Sequence, residues 1–509
     1  MKNIAQIGKS IAVLGLFGTM MTACNLDIND NPNKAVTSDA EFLLPPAILK
    51  LTNYETITLN ELGSFFGGYW GKANDVTIGG GGGTNSYLDM IINYSISDEF
   101  ATQVWEQAYT NIYNIKLIED AEENRNPAYA GMAKIMRGWY FYRLVDHYNN
   151  VPFTEASNPN NTQPKYDKGE FVYQQATQLI TEGINLLKNA PVGSKFPKSD
   201  DILFNGNTKS WIQLGNTLKL RALIHQSEVA SSSYIQEQMQ LIQQEGSGFL
   251  QINALVNPGY STNANQINGF WNAFYRTTNN NEVNAYRGYR PTRFLIEAYK
   301  KVNDPRLAQN YTAVDGDYKG VVFGQPTNDI SQNYAVTSAL KGPSENSNQP
   351  AGLLKSAIQS SVLFSAAESY FLQAEAAQRG WLTAGSVKQY YENAIRSSFD
   401  YLGLSAAAFQ SFISQEQVQL DQAPNALTRI IEQKWLALNG IDGAEAWNDY
   451  RRLGIPAAPG SLLASADGTV HALRLRYPAS EVNNNKPAVS AEGNIVGTSP
   501  EFRVFWQKK

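Results

Sequence analysis

Apolar residues recur at helical spacing in paired segments along this chain, and that recurrence confines it to a stack of packed helices. Val104, Ala108, Ile112 and Ile115 share one helical face, with Glu119 continuing the spacing, in a helix that starts near Asp98. A partner follows Pro127 and sets Tyr129, Met132, Met136, Tyr140, Leu144 and His147 along one side. Comparable pairs join residues 166–188 to 208–229, 362–379 to 386–398, and 426–439 to 444–453. Gly380 and Gly440 each follow a periodic segment and suit the left-handed conformation that closes a helix. Glu375 and Arg379 are one turn apart in the favourable order for an ion pair.

Hairpins of this length that repeat predict tetratricopeptide-like stacking, in which each pair buries its face on the next. Trp211, Leu214 and Gly215 carry the W-x2-L-G part of that consensus, with Leu218 where tyrosine is usual. The expected fold is mainly α, with about four helix pairs and long irregular loops near 59–94 and 246–350. Loops this long inside a compact domain are functional or disordered, and their aromatic content argues against disorder. Binding is expected there.

A single cysteine, Cys24, means that no disulfide can staple the fold, so packing must hold it. The hydrophobic share of 43% supplies a core, and the net charge of −5 disfavours a phosphate-rich partner such as nucleic acid. Upstream of Cys24, Lys2 and Lys9 precede an apolar run at 11–17 and then Met21, Thr22 and Ala23, the order of an export signal. That run is shorter than the ~20 residues a transmembrane helix needs. Small residues before a lone cysteine resemble a lipobox, with Met21 where Leu or Val is commoner. The expected organisation is a lipoprotein signal peptide at 1–23, a lipid anchor on Cys24 with a polar lead-in at 24–46, and a single helical domain at 47–509.

Catalytic chemistry finds little footing. A glycoside hydrolase needs two carboxyl groups about 5–10 Å apart across a cleft, and no local pattern singles out a pair. Asp75, Asp89, Asp315 and Asp317 read as turn formers or hydroxyl acceptors. The histidines His147, His225 and His471 are far apart in sequence, and the chain lacks the H-E-x-x-H, C-x-x-C, G-x-S-x-G and phosphate-loop motifs. No metal, cofactor or catalytic residue is expected.

Binding has better support. With 27 Tyr, 22 Phe and 9 Trp beside many amides, the chain suits sugars or peptides, which offer CH faces and polar edges. Phe65, Phe66, Tyr69 and Trp70 stand among glycines that would lift rings onto the surface, followed by Asn74 and Asp75. Two further clusters hold Trp271, Tyr275 and Arg276, and Tyr286, Arg287, Tyr289 and Arg290. One or two rings would stack on a pyranose, while Asn, Asp and the planar fork of Arg would reach hydroxyl pairs. The expected ligand residues are Tyr69, Trp70, Asn74, Asp75, Trp271, Tyr275, Arg276, Tyr286, Arg287 and Tyr289, with Trp70, Trp271 or Tyr289 as the stacking surface.

Four long motifs resemble the SusD/RagB family of outer-membrane lipoproteins. Residues 133–156 read AKIMRGWYFYRLVDHYNNVPFTEA, similar to its arginine–aromatic helix and following turn. Residues 367–381 read AESYFLQAEAAQRGW and residues 431–456 read IEQKWLALNGIDGAEAWNDYRRLGIP, similar to its two signature helices. Residues 474–481, RLRYPASE, resemble its closing element, and 27–33 with 304–306 resemble the SusD-like branch. The resemblance implies a non-catalytic lid protein, facing the cell exterior, that captures oligosaccharide for a SusC-like, TonB-dependent barrel. Peptide as ligand, a lipid-anchored glycan hydrolase and a purely structural envelope protein are the alternatives. Within the motifs, Glu368, Glu375, Glu432, Trp435, Glu445, Trp447, Asp449, Arg451 and Arg452 have helical spacing, which favours core rings and paired charges over catalysis.

Overall fold

The computed structural model describes residues 39–508 apart from 77–86, 326–328, 345–349, 464–467 and 494–497. Cys24, its leader and the glycine run at 79–83 therefore lie outside the described residues. The predicted pairs are present. Helices α1 (Ala40–Asn53) and α2 (Asn60–Phe66) precede α3 (Thr102–Glu122) and α4 (Pro127–Tyr148), which pack together as the first hairpin. The others are α5 (Gly169–Lys188) with α6 (Thr208–His225), then, after α7 (Ser232–Glu245), α8 (Ala366–Gln378) with α9 (Val387–Leu402), and α10 (Ala426–Leu438) with α11 (Gly443–Leu453). Side chains of Asn207, Ser231, Ser365, Ser386, Asn425 and Asp442 cap helix starts, each contributing about 1 kcal/mol. Gly380 and Gly440 take positive φ at helix ends, as their sequence positions predict.

Successive pairs are joined most tightly between α4 and α5. A Cβ on Gly183 would stand 2.5 Å from the carbonyl oxygen of Gly131, and one on Gly131 2.7 Å from that of Gly183. The two backbones touch there, so only glycine fits. Gly183→Val should lower the unfolding free energy by about 1–3 kcal/mol through overpacking; an unchanged urea midpoint would contradict this contact.

Three expectations are corrected. The lead-in expected to reach 46 ends earlier, because α1 begins at Ala40 and buries Leu44, Ala47, Ile48 and Leu51 despite Pro45 and Pro46. The loop expected from 59 starts later: a π-helical turn, Tyr54–Leu59, runs into α2, whose Leu62, Phe65 and Phe66 are buried. The segment read as helix from 362 begins as a strand, and Ser365 caps α8 behind it. Short strands tie the loops to the stack. Antiparallel β1 (Trp70–Lys72) pairs with β3 (Tyr289–Pro291), and β2 (Ala254–Val256) pairs with β4 (Ser361–Phe364).

Where five helices converge, the core holds charges instead of hydrocarbon. Arg143 of α4 lies 2.6 Å from Glu55 and 2.8 Å from Asp442. Lys434 of α10 lies 2.8 Å from Glu445 and 2.9 Å from Asp449, and Arg452 of α11 lies 2.6 Å from Glu375 of α8. Arg221 of α6 is 3.3 Å from Glu368. Trp435 and Trp447 are buried with their indole N–H groups donating to Gly67 and Ala472 carbonyls, and the Arg451 guanidinium sits 3.8 Å over the Trp447 ring. Glu432 is the exception, half-exposed 3.9 Å from Arg429. The cavity beside Arg143, Asp146, Arg221 and His225 measures about 10 Å³, room for one water at most. Glu55, Glu368, Glu375, Glu445 and Asp449 are buried structural struts with no access for a substrate.

His225 gives this network a pH dependence. Burial opposes its protonation, but Glu445 at 3.0 Å and Asp146 at 3.4 Å outweigh burial and push its pKa up to about 9. A raised pKa stabilises the fold fully below the unfolded value near 6.5, and that stabilisation is lost as pH rises through about 9. Between those limits wild type should lose on the order of 3 kcal/mol relative to His225→Gln. Parallel pH profiles of urea unfolding for the two proteins would contradict it.

Candidate ligand-binding site

Strand pairing gathers the loop residues that the sequence left apart. The β1–β3 register sets Trp70 opposite Pro291, Gly71 opposite Arg290 and Lys72 opposite Tyr289. The ladder continues through the Ala73 N–H, which donates to the Gly288 carbonyl at 2.8 Å, and so brings Asn74 beside the short helix Asn284–Gly288. Asn74 then fastens a third segment: its backbone N–H donates to Gln332 at 3.1 Å and its side chain to the Asp329 carbonyl at 3.2 Å. Asp75 accepts from the Tyr334 backbone N–H at 2.7 Å.

Tyr334 is the hub of the resulting platform. The Arg290 guanidinium lies 4.5 Å from its ring centroid and that of Arg287 5.2 Å, so cation–π attraction holds the ring. Its hydroxyl donates to Glu282 at 3.2 Å, and Glu282 lies 3.6 Å from Arg276. Tyr286 meets Tyr275 edge to face at 4.9 Å, and Arg276 lies 5.0 Å over the Tyr275 ring. Tyr286 and Tyr334 are half-buried, while Asp75, Glu282 and Arg287 are exposed. Burial pushes Arg290 down to about 10, so it stays charged at neutral pH, and pushes the Tyr286 phenol up to about 12, so it stays a neutral donor. Ring faces bordered by amide, carboxylate and guanidinium edges suit a polyhydroxylated ligand. Asp75 and Glu282 are each engaged in holding Tyr334, which argues against a role for either as general acid.

Of the expected residues, Asn74, Asp75, Arg276, Tyr286 and Arg287 come together at this surface. Trp271 and Tyr275 lie just beneath it, 8% and 9% exposed. Tyr69, Trp70 and Tyr289 are corrected to core residues. Trp70 packs against Phe65, Phe274 and Tyr289 at centroid distances of 6.0, 5.2 and 5.6 Å. The hydroxyls of Tyr69 and Tyr289 donate to the Trp435 carbonyl and to Glu61. The glycine beside them serves close approach, not display: a Cβ on Gly71 would stand 2.6 Å from Val321 Cγ2. The rings left half-buried at this surface are Tyr286 and Tyr334, in place of the expected Trp70, Trp271 or Tyr289. Tyr334 and Glu282 were not among the expected residues; both lie in the 246–350 stretch, with no local pattern to mark them. Asp315 and Asp317 form a turn, as read, paired with Lys319 and Lys300.

Residues 32–478 match the SusD-like family model described as starch-binding and associating with the outer membrane. The fold is similar to that of a chitin-binding SusD homologue from Flavobacterium johnsoniae, with a TM-score of 0.74 at 21% identity over 91% of this chain and 98% of that one. A SusD homologue from Bacteroides uniformis superposes with a TM-score of 0.71 at 22% identity, covering 92% of this chain and 100% of that one. A SusD-like protein from Bacteroides thetaiotaomicron gives 0.71 at 22% identity, covering 92% and 99%. No curated protein matches the chain. Among the described residues no helix is long and apolar enough to cross a membrane.

Proposed function

The chain belongs to the SusD-like family, and we propose that it is a non-catalytic surface lipoprotein that binds oligosaccharide and passes it to a SusC-like, TonB-dependent barrel in the outer membrane. The observation that carries the ligand class is the Tyr286–Tyr334 platform, two half-buried rings edged by Asn74, Asp75, Arg276 and Arg287. Family membership supports the same class, since its description names starch, and one relative of the same fold binds chitin. Acylation of Cys24 would tether the protein beside its barrel, where local concentration compensates for modest affinity.

Calorimetric titration with malto- and chito-oligosaccharides, alongside peptides, tests this reading. Saturable binding of a glycan without release of reducing ends is the expected result. Binding of peptide alone, or hydrolysis abolished by one carboxylate substitution, would contradict it. Co-purification with a TonB-dependent barrel from native outer membrane, lost in Cys24→Ser, tests the partner and the anchor together.

A further inference from the structure

A cavity of about 560 Å³ opens between α7 and the turn that follows α8, and it shares no lining residue with the platform. We propose that it is a second glycan-binding site, with Trp381 as its aromatic surface and the glutamines of α7 as its polar edge. The ligand class rests on the glycan reading above; the site itself does not.

Helix α7 supplies the first wall. Ile235, Met239 and Ile242 fall at helical spacing and are buried, anchoring the helix to the stack. Gln236, Gln240 and Gln243 follow the same spacing one position on, all exposed and all lining the cavity. A solvent-facing helix ordinarily carries charge on that face; this one presents a row of neutral amides, each both donor and acceptor.

The opposite wall is held rigid. Gly380 takes φ +74° beyond α8, and its N–H and that of Trp381 donate to the Ala377 and Ala376 carbonyls at 3.0 and 2.8 Å. This closure fixes Trp381 directly past the helix end, and Gln243 donates to the Trp381 carbonyl at 3.4 Å from across the cavity. Arg379 lies 5.6 Å from the Trp381 ring centroid, with its charge already matched by Glu375 at 2.8 Å and Glu228 at 3.0 Å.

A pre-set ring, neutral amides and a neutralised guanidinium favour an uncharged ligand with many hydroxyl or amide groups. Strand addition to a sheet edge finds no partner here, and the exposed amides of Gln236, Gln240 and Gln243 favour hydroxyl-rich ligands over an apolar helix; an extended peptide laid on Trp381 is the rival that the peptide control tests. The volume falls in the roughly 300–1,000 Å³ range of ligand pockets.

Protein labelled with 5-fluorotryptophan reports on the site directly, the Trp381 resonance being assigned by its loss in Trp381→Phe. Malto- and chito-oligosaccharides, with a peptide control, are titrated into wild type, Gln236→Ala/Gln240→Ala and Tyr286→Ala/Tyr334→Ala. The Trp381 signal is expected to shift saturably with a glycan, to need about tenfold more of it in the glutamine variant, and to respond within about twofold of wild type in the tyrosine variant. A signal that stays fixed through the panel, moves only with peptide, or is lost in the tyrosine variant overturns the second site. Failure of the platform alone has a different signature: the tyrosine variant binds glycan with wild-type affinity and an undiminished number of sites by calorimetry while Trp381 still responds.

Discussion

Replacing Arg452 by methionine is expected to lower the unfolding free energy by about 3–5 kcal/mol. The Arg452 side chain is fully buried, and its two terminal nitrogens grip Glu375 at 2.6 and 2.8 Å and Asp449 at 2.8 Å. Methionine fills much of the volume but leaves both carboxylates short of a partner in a medium that cannot solvate them. Arg379 still holds Glu375, and Lys434 still holds Asp449, which argues for the lower end of that range. Burial raises the Glu375 pKa, yet Arg452 and Arg379 outweigh it and hold the group below the usual carboxylate range. A depressed pKa stabilises the wild type above the unfolded value and loses that effect as pH falls through the folded one. The gap between wild type and variant should therefore narrow in acid. Glu375→Gln in the Arg452→Met background should recover part of the loss. A variant as stable as wild type in urea unfolding would mean that the network does not hold the helices together.

Trp70→Ala separates packing from recognition. Its indole is 1% exposed among Phe65, Phe274 and Tyr289, so removal should cost about 3–5 kcal/mol through lost burial and a residual cavity. Glycan affinity of the folded fraction should stay within about twofold of wild type, because Trp70 is buried below the platform. A variant of undiminished stability that loses affinity would return Trp70 to the surface role its neighbouring glycines suggest.

The scaffold was legible because helix pairs repeat a simple periodicity. The apolar rows of α3 and α4, the closures at Gly380 and Gly440 and the paired charges of the α8, α10 and α11 motifs are all local patterns. Helix α1 was obscured by Pro45 and Pro46, and α7 by the predominance of glutamine over apolar residues. The site was half legible. Rings and amides marked the right loops, but glycine flanking reads alike whether a ring is displayed or a backbone must approach closely, and at Gly71 the second holds. Tyr334 joins the platform through Asp75, Glu282, Arg287 and Arg290, contacts that no spacing in the sequence encodes.

Calorimetric titration of wild type, Tyr286→Ala, Tyr334→Ala and the double variant with the best-bound glycan bears most directly on binding by a two-ring platform. Each single substitution should weaken binding by about tenfold or more, the double variant further, with thermal midpoints of the singles near wild type and no product formed. Full affinity with an undiminished number of sites in the folded double variant, or consumption of the glycan, would contradict it.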